Sequence, residues 1–344
     1  MKKHFLKMLA LGLIVPFGVA LTGCGHEHTY SEAWTTDATH HWHASTCKHT
    51  DEKSDYAEHV WTDNYDTTCD TCAYVRVAPV DLWDGTTANV PEAVDGVIAI
   101  TTAEQLAGVA KAVKEGTTYE GVTIKLEADL NLNNTEWTPI GFGSSGGLSV
   151  LDGDSKAFDG NFDGQNHTVY NLKATTFVGG GVGETDTKVG IALFGHVRGS
   201  VKNITVDTAT VSGHHYVGAV VGFAIGAEID NCHAKNVAVS CVYDNEDESG
   251  DKVGAVVAHV QNHWNRNASI KNCSATNSTV NGARDAGQVV GCLSTNEYGG
   301  TTAVTSENLT ASNVTVTDNN EVQDAGTNDN IKNEPIGRIK DYRA

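Results

Sequence analysis

The sequence predicts a mainly β protein: a right-handed parallel β-helix (solenoid) with an N-terminal capping helix, preceded by a small zinc-ribbon-like His/Cys module. Three observations lead to this prediction. Gly-rich apolar segments and Asn-containing segments recur along residues 97–320 at unequal intervals, as they do in a solenoid whose turns vary in length. An amphipathic segment precedes the repeats. Residues 24–75 concentrate His and Cys and contain few apolar residues.

Residues 1–23 have the features of a lipoprotein signal peptide. Lys2, Lys3 and Lys7 precede an apolar stretch over residues 8–21, which is shorter than the roughly 20 residues that a membrane span requires. The sequence Leu21-Thr22-Gly23-Cys24 resembles the lipobox of bacterial lipoproteins. This resemblance implies cleavage before Cys24 and a lipid on its thiol, so we expect a lipid-anchored protein on the extracytoplasmic face of the cell membrane. The alternative is an ordinary secretory signal that ends near a cysteine.

The chain is long enough for two domains and is strongly acidic. It has 344 residues and a formal net charge of -20, and its length suggests two domains. Nucleic acids and anionic membrane surfaces attract basic faces. The charge therefore excludes nucleic acid as a partner and leaves the N-terminal lipid as the expected contact with the membrane.

The module over residues 24–75 has too little apolar content to form a core of its own. Such small modules usually require a metal or disulfides. If Cys24 carries lipid, the module retains an odd number of cysteines, and zinc accepts mixed thiolate and imidazole ligands. We predict a structural zinc ion held by ligands from this set: His28, His43, Cys47, His59, Cys69 and Cys72. Alternate ligands are His40, His41 and His49. A Cys69–Cys72 disulfide with solvated histidines is the competing interpretation.

The same segment resembles the short His/Trp/Cys repeats of surface proteins from gut Firmicutes. The resemblance rests on His26-Glu27-His28, His41-Trp42-His43, His59-Val60-Trp61 and the Cys69-x-x-Cys72 spacing, and it covers about 50 residues. It implies a stalk-like, zinc-stabilised module and does not imply an activity. Residues 76–96, which include Pro79 and Pro91, are predicted to form a linker.

The repeat units over residues 97–320 contain an Asn followed by an inward-facing residue. The asparagines are Asn171, Asn203, Asn231, Asn272 and Asn308. We expect their amides to stack from one rung to the next, as polar ladders do in stacked sheets. The residues that follow them predict a core row of Leu172, Ile204, Cys232, Cys273 and Leu309. Cys232 and Cys273 are expected to be buried thiols, and a disulfide between rungs is the alternative; the same applies to Cys241 and Cys292.

Gly-rich strands precede four of these asparagines. Ile191–Gly195 and Val217–Gly222 resemble GLUG motifs, which occur in bacterial surface β-helices, including parts of some IgA-cleaving proteases and adhesins. Segments at residues 98–106, 137–141 and 158–164 match what commonly precedes such repeats. The resemblance spans about residues 97–320 and implies a β-helix. Ala258 departs from it by replacing the motif glycine.

An amphipathic helix is predicted just before the repeats. Thr101 and Thr102 precede Glu104 and Gln105 in a capping-box pattern. A helical stripe follows, formed by Leu106, Val109, Ala110 and Val113. Such a helix would cover the N-terminal edge of the solenoid. Residues 321–344 are polar and are predicted to form a cap or a tail.

The expected function is that of a non-catalytic, adhesin-like surface lipoprotein that binds a glycan or a host or matrix protein. Candidate binding loops are His214-His215-Tyr216, Tyr243–Glu248, and His263-Trp264 with Arg266, because loops on a rigid scaffold carry binding. A polysaccharide-acting enzyme is one alternative, with Asp159 and Asp163 as its carboxylate pair, although Asp-Gly turns also explain both residues. A metal-capture lipoprotein is the other alternative. No catalytic residue is predicted.

Overall fold

The chain is described here from a computed structural model, and it divides into two compact units, Met1–Pro79 and Val80–Ala344. The structure describes residues 27–49, 51–61, 68–75, 82–141, 156–175, 189–213, 215–241, 252–263, 266–282, 285–295, 303–318 and 334–341. The predicted signal peptide and Cys24 lie outside these residues. Among the described residues, no helix is both long enough and apolar enough to cross a membrane.

The first unit contains an antiparallel sheet in the order β1-β2-β3. Its strands are β1 (Tyr30–Thr36), β2 (His40–Ser45) and β3 (Lys53–Glu58). An antiparallel bridge between Thr68 and Val75 closes the loop that carries two cysteines. Cys69 is the one buried apolar side chain among the residues described in this unit. Apolar burial therefore contributes little to its stability.

In the second unit, the described residues form strands of 2 to 14 residues and one helix, α1 (Ala103–Lys114). Its described strands are β4 (Val97–Ile100), β5 (Thr123–Leu126), β6 (Leu130–Asn131), β7 (Asn161–Tyr170), β8 (Lys173–Ala174), β9 (Val189–Ile191), β10 (Phe194–Val197), β11 (Ser200–Gly213), β12 (His215–Val217), β13 (Val221–Ile225), β14 (Glu228–Cys241), β15 (Lys252–Gly254), β16 (Val257–Gln261), β17 (Ser269–Lys271), β18 (Ser274–Gly282), β19 (Asp285–Gly287), β20 (Val290–Thr295), β21 (Thr305–Glu307), β22 (Thr310–Asp318) and β23 (Ile336–Asp341).

Three parallel sheets make up the second unit. The eleven-stranded sheet runs β21-β17-β14-β11-β7-β5-β4, with β18, β22, β6 and β8 paired alongside, whereas the other two sheets run β10-β13-β16-β20-β23 and β19-β15-β12-β9. The chain visits the three sheets in a fixed order: β10, β11 and β12 lie in different sheets, and β13, β14 and β15 repeat that order. The mainly β prediction with parallel strands is confirmed.

Inward-facing apolar side chains of successive strands form rows in the core. Val211, Val239 and Val280 are aligned across β11, β14 and β18, and all three are buried. Of the predicted core row, Leu172, Ile204, Cys232 and Cys273 are fully buried, and Leu309 packs partly buried against them. The alternation along each strand therefore gives the inner face of the sheet correctly.

Helix α1 begins as the sequence predicts. Thr102 is the N-cap, its hydroxyl accepts the N–H of Gln105, and the Gln105 side chain accepts the N–H of Thr102. This reciprocal pair satisfies two backbone donors that a helix N-terminus would otherwise leave unpaired. The predicted stripe from Leu106 to Val113 faces the core.

Asparagines occupy sharp corners at which the backbone enters the left-handed region. The φ angles of Asn203, Asn231, Asn272 and Asn308 lie between 51° and 54°, a conformation that Asn tolerates better than most residues. The Nδ2 group of Asn231 donates to Oδ1 of Asn203 at 2.9 Å, and that of Asn308 donates to Asn272 at 2.9 Å. The predicted ladder is thus present, although Asn272 donates to Oδ1 of Asp230 instead of to Asn231.

Asn171 does not belong to this ladder, which corrects its predicted position. Tyr170 is aligned with Asp207, so Asn171 lies one corner further along its rung than Asn203 does. Its amide donates to Oδ1 of Asn131 at 3.1 Å. Asn236, Asn277 and Asn313 lie at the same second corner of later rungs. There, Nδ2 of Asn313 donates to Oδ1 of Asn277 at 2.9 Å. Rungs therefore have two left-handed corners, and the second is occupied by Thr208 instead of Asn in the rung of β11.

Two segments that flank the repeats pack in the second unit. Within the segment predicted as a linker, Trp83 is 5% exposed and meets Trp137 edge-on at 5.5 Å. The large apolar area of the indole ring favours this packing. Within the segment predicted as a polar cap or tail, β23 pairs in parallel with β20.

The cysteines of the second unit are buried, reduced thiols. Cys232 and Cys273 are fully buried, and so are Cys241 and Cys292. The Cys273 thiol donates to the carbonyl of Lys271 at 3.0 Å. Burial raises the pKa of Cys232 well above its ordinary value. These thiols behave as small apolar side chains with a weak donor.

Gly222 in β13 has no room for a side chain, and this gives a stability test. A methyl group there would lie 2.5 Å from Cα of Gly190 and 2.8 Å from the carbonyl oxygen of Gly195, both backbone atoms. We expect Gly222→Ala to lower the free energy of unfolding by about 1–3 kcal/mol, measured from the urea midpoint of the far-UV circular dichroism.

Ala258 supplies the matched control because it lies opposite Gly222 on β16. We expect Ala258→Gly to cost only about 0.5–1 kcal/mol, the usual loss for glycine in a strand. Equal midpoint shifts for the two variants would show that close packing of backbone at Gly222 does not matter.

Candidate metal centre

Two histidines and two cysteines converge in the first unit. One ligand atom from each of His41, His59, Cys69 and Cys72 lies within 4.8 Å of all the others. Sγ of Cys72 is 3.4 Å from Nδ1 of His59, and Sγ of Cys69 is 3.9 Å from Nδ1 of His41. A tetrahedral zinc ion with usual bond lengths would separate sulfur and nitrogen ligands by about 3.6 Å. The donor set and its spacing therefore fit one tetrahedral ion, and we call it the four-ligand group.

Local structure places each ligand of this group. His41 lies on β2, and His59 follows β3 directly. The two cysteines lie on a tight turn, in which the N–H of Ala73 donates to the carbonyl of Cys69 at 3.1 Å. The antiparallel pairing of β2 with β3 brings the two histidines to the same end of the sheet.

Surrounding groups orient the histidine rings. Nε2–H of His59 donates to the carbonyl of Asp37 at 2.9 Å, which leaves Nδ1 directed towards Cys72. The Tyr74 ring stacks on His59 at 4.4 Å, and the Trp34 ring meets His41 edge-on at 4.7 Å. Such outer contacts fix the tautomer and the orientation of metal-binding histidines.

The two thiols differ in acidity. Burial acts to raise the pKa of Cys69, but hydrogen bonds from the backbone of Thr71, Cys72 and Val60, and then from the His59 ring, lower it to about 6. Burial raises the pKa of Cys72, with the neighbouring Cys69 adding to the rise. One thiolate is thus available near neutral pH, and the thiolate is the form that binds metal.

A second group lies elsewhere in the same unit. It consists of His28, Cys47 and His49, whose ligand atoms are also within 4.8 Å of one another. Sγ of Cys47 is 3.4 Å from Nδ1 of His28 and 3.7 Å from Nδ1 of His49. We call it the three-ligand group.

Five of the six predicted ligands divide between these groups. His59, Cys69 and Cys72 meet His41, whereas His28 and Cys47 meet His49. His43 joins neither group: its ring stacks on Trp34 at 3.9 Å. His41 and His49, two of the three alternate ligands in the sequence prediction, each belong to one group. The third alternate ligand, His40, lies outside both groups and stacks on Tyr56 at 4.6 Å.

The other predicted sites have structural contacts or lie outside the described residues. Asp159 accepts two hydrogen bonds from Arg198, at 2.7 and 2.6 Å. Asp163 accepts from the N–H of Gln165 and from the amide of Asn203. His215 is buried in β12. Residues His214, Tyr243–Glu248 and Trp264 lie outside the described part of the chain.

Comparison with known proteins is consistent with the repeat structure of the second unit. The family model for the GLUG motif matches residues 213–240, which cover the end of β11 through most of β14. This chain contains a GLUG motif. The match includes Gly218 and Gly222, as the sequence predicted, and it covers the first ladder corner at Asn231.

Two further comparisons match more of the chain than the motif does. Halomucin of Haloquadratum walsbyi is 28% identical over 152 residues, which are 43% of this chain and 2% of halomucin. The chain therefore matches only a small part of that protein. The crystal structure of a "putative immunoglobulin A1 protease" from Bacteroides ovatus has 17% sequence identity and a TM-score of 0.35, covering 72% of this chain and 84% of that one.

Removal of one ligand tests the four-ligand group. We expect Cys72→Ser to weaken the binding of the most tightly held metal ion by more than about 100-fold, the upper end of the loss seen when only a supporting contact is removed. Competition against a chromogenic chelator measures this affinity. His40→Gln, a histidine outside both groups, should leave the affinity unchanged. Equal affinities for wild type and Cys72→Ser would exclude this group as a metal centre.

Proposed function

We propose that this chain is a cell-surface lipoprotein whose second unit is a right-handed parallel β-helix that binds an extracellular glycan or protein without catalysing a reaction. The observation that carries the proposal is the regular polar face of the eleven-stranded sheet. Across five neighbouring strands, one aligned row alternates in charge: Asp163, Lys202, Asp230, Lys271 and Glu307.

This row is half-buried to exposed and is held rigidly by the strand pairing beneath it. Lys202 pairs with Glu228 at 2.7 Å, and Lys271 pairs with Glu307 at 3.8 Å, each across neighbouring strands. A repeating polar surface of this kind suits an extended partner that makes many similar contacts.

The contacts of Asp159 and Asp163 support a non-catalytic role. Glycosidases need two carboxyl groups about 5–9 Å apart that are available to the substrate. Both oxygens of Asp159 are engaged by the Arg198 guanidinium, and Asp163 holds the Asn203 corner. These carboxylates stabilise neighbouring rungs of the repeat.

The first unit is proposed to act as the stalk between the lipid and the β-helix. Its few buried apolar side chains make a structural ion at the four-ligand group the natural source of stability. Zinc suits the mixed sulfur and nitrogen donors. Cys24 is proposed to carry the lipid, because it follows small residues at the end of the apolar segment.

A binding array tests the proposed function. We expect the purified chain to bind members of a glycan or extracellular-matrix array, and Lys271→Glu to weaken that binding at least about tenfold, or roughly 1.4 kcal/mol. The substitution would place three acidic side chains in succession along the row. Lys114→Glu, which changes an exposed lysine of α1 by the same charge, should bind as wild type does. Absence of detectable binding of the wild type to either array would contradict the proposal.

A further inference from the structure

We propose that the three-ligand group is a second metal site, which binds a late transition-metal ion reversibly and exchanges it with the surroundings. The group is separate from the four-ligand group, because each has its own histidines and its own cysteine ligands. The inference goes beyond the proposed stalk function, since it assigns a metal-handling role to a part of the module that structural bracing does not require.

The geometry of the group matches metal coordination. Its two sulfur-to-nitrogen distances, 3.4 and 3.7 Å, lie on either side of the roughly 3.6 Å expected between ligands of one tetrahedral zinc ion. The rings of His28 and His49 are 5.1 Å apart and nearly perpendicular. The rings can therefore approach one ion from different sides without stacking on each other.

A hydroxyl group supports the thiol of this site. Oγ of Ser45 lies 2.9 Å from Sγ of Cys47 and also accepts the N–H of Cys47 at 3.3 Å. Outer contacts of this kind orient a ligand and tune its donor strength. Cys47 is therefore held in place, although it lies at the end of a short strand.

Exposure distinguishes this site from the four-ligand group. His41, His59 and Cys69 are buried, whereas His28 and Cys47 are half-buried and His49 is exposed. Within the described part of the chain, the group offers three ligand atoms, and a tetrahedral ion requires four. An ion at this partly exposed group is accessible to solvent and to external ligands, which allows exchange.

The donor set defines the class of ion. One thiolate with two imidazoles selects zinc, copper, cobalt or nickel over calcium and magnesium, which prefer oxygen ligands. A single thiolate binds more weakly than the two thiolates of the four-ligand group. The chain would thus hold one ion tightly and a second one loosely.

Cobalt titration of the purified full chain, stripped of metal under reducing conditions, tests this proposal. Thiolate-to-cobalt charge transfer and the visible d–d bands report each site as it fills. We expect wild type to bind two cobalt ions, of which a weak chromogenic chelator removes one in a separate, earlier step. Cys47→Ser and His49→Gln should each lose only that early step, and His40→Gln should retain both steps.

Three results would overturn the second site: a single cobalt ion bound by wild type that Cys47→Ser still binds, release of both ions in one step, or an unchanged early step in His49→Gln. His49 is exposed, so its replacement leaves the packing of the module intact. The late step depends on the four-ligand group and is tested by Cys72→Ser. Failure of the second site is therefore distinguishable from failure of the structural ion.

Discussion

The structure of the second unit depends on asparagines that turn the chain through the left-handed region and hydrogen-bond to the next rung. A non-glycine residue at φ near 53° is costly for most side chains. Asn offsets that cost because its short amide can bond locally and, in this chain, to the corner of a neighbouring rung. Each such bond fixes both the direction of the turn and the alignment of two strands.

Strand alignment then determines the rest of the unit. With β11, β14 and β18 held in register, their inward residues form continuous apolar rows. The alternating charge row lies across β7, β11, β14, β17 and β21 in the same sheet. The tight backbone packing around Gly222 follows from the same register, because the strands at this position approach too closely for a side chain. Corner, core and exposed face are consequences of one repeated geometry.

Sequence patterns predicted this repeat well, but not the number of corners in each rung. Asn171 and Asn203 are both followed by an apolar residue, so the two corners look alike in sequence, although the structure places them at different corners. Register information comes from pairing across rungs, which a single strand does not encode. Strand β23 was missed for a similar reason: its short sequence lacks the regular alternation of a strand, and it pairs with β20, which is distant along the chain.

The His/Cys module shows the same limit in another form. Composition alone indicated metal ligation, and five of the six predicted ligands meet other ligands. The histidines at positions 40, 41 and 43 are the same residue type and lie close together in the sequence, so composition does not distinguish them. Only the pairing of β2 with β3 decides that His41 is buried beside His59. The division into a buried and an exposed group likewise arises from tertiary contacts. We infer from it that one module can combine a structural ion with an exchangeable one.

A double-mutant cycle between Asn203 and Asn231 tests the central claim most directly. Glycine at either position keeps the left-handed turn and removes the amide, so the cycle isolates the bond between the two corners. If these corners hold the rungs in register, the unfolding free energies of Asn203→Gly, Asn231→Gly and the double variant should give a coupling energy of about 1 kcal/mol. Additive effects, within about 0.3 kcal/mol, would contradict the claim that stacked corners stabilise this structure.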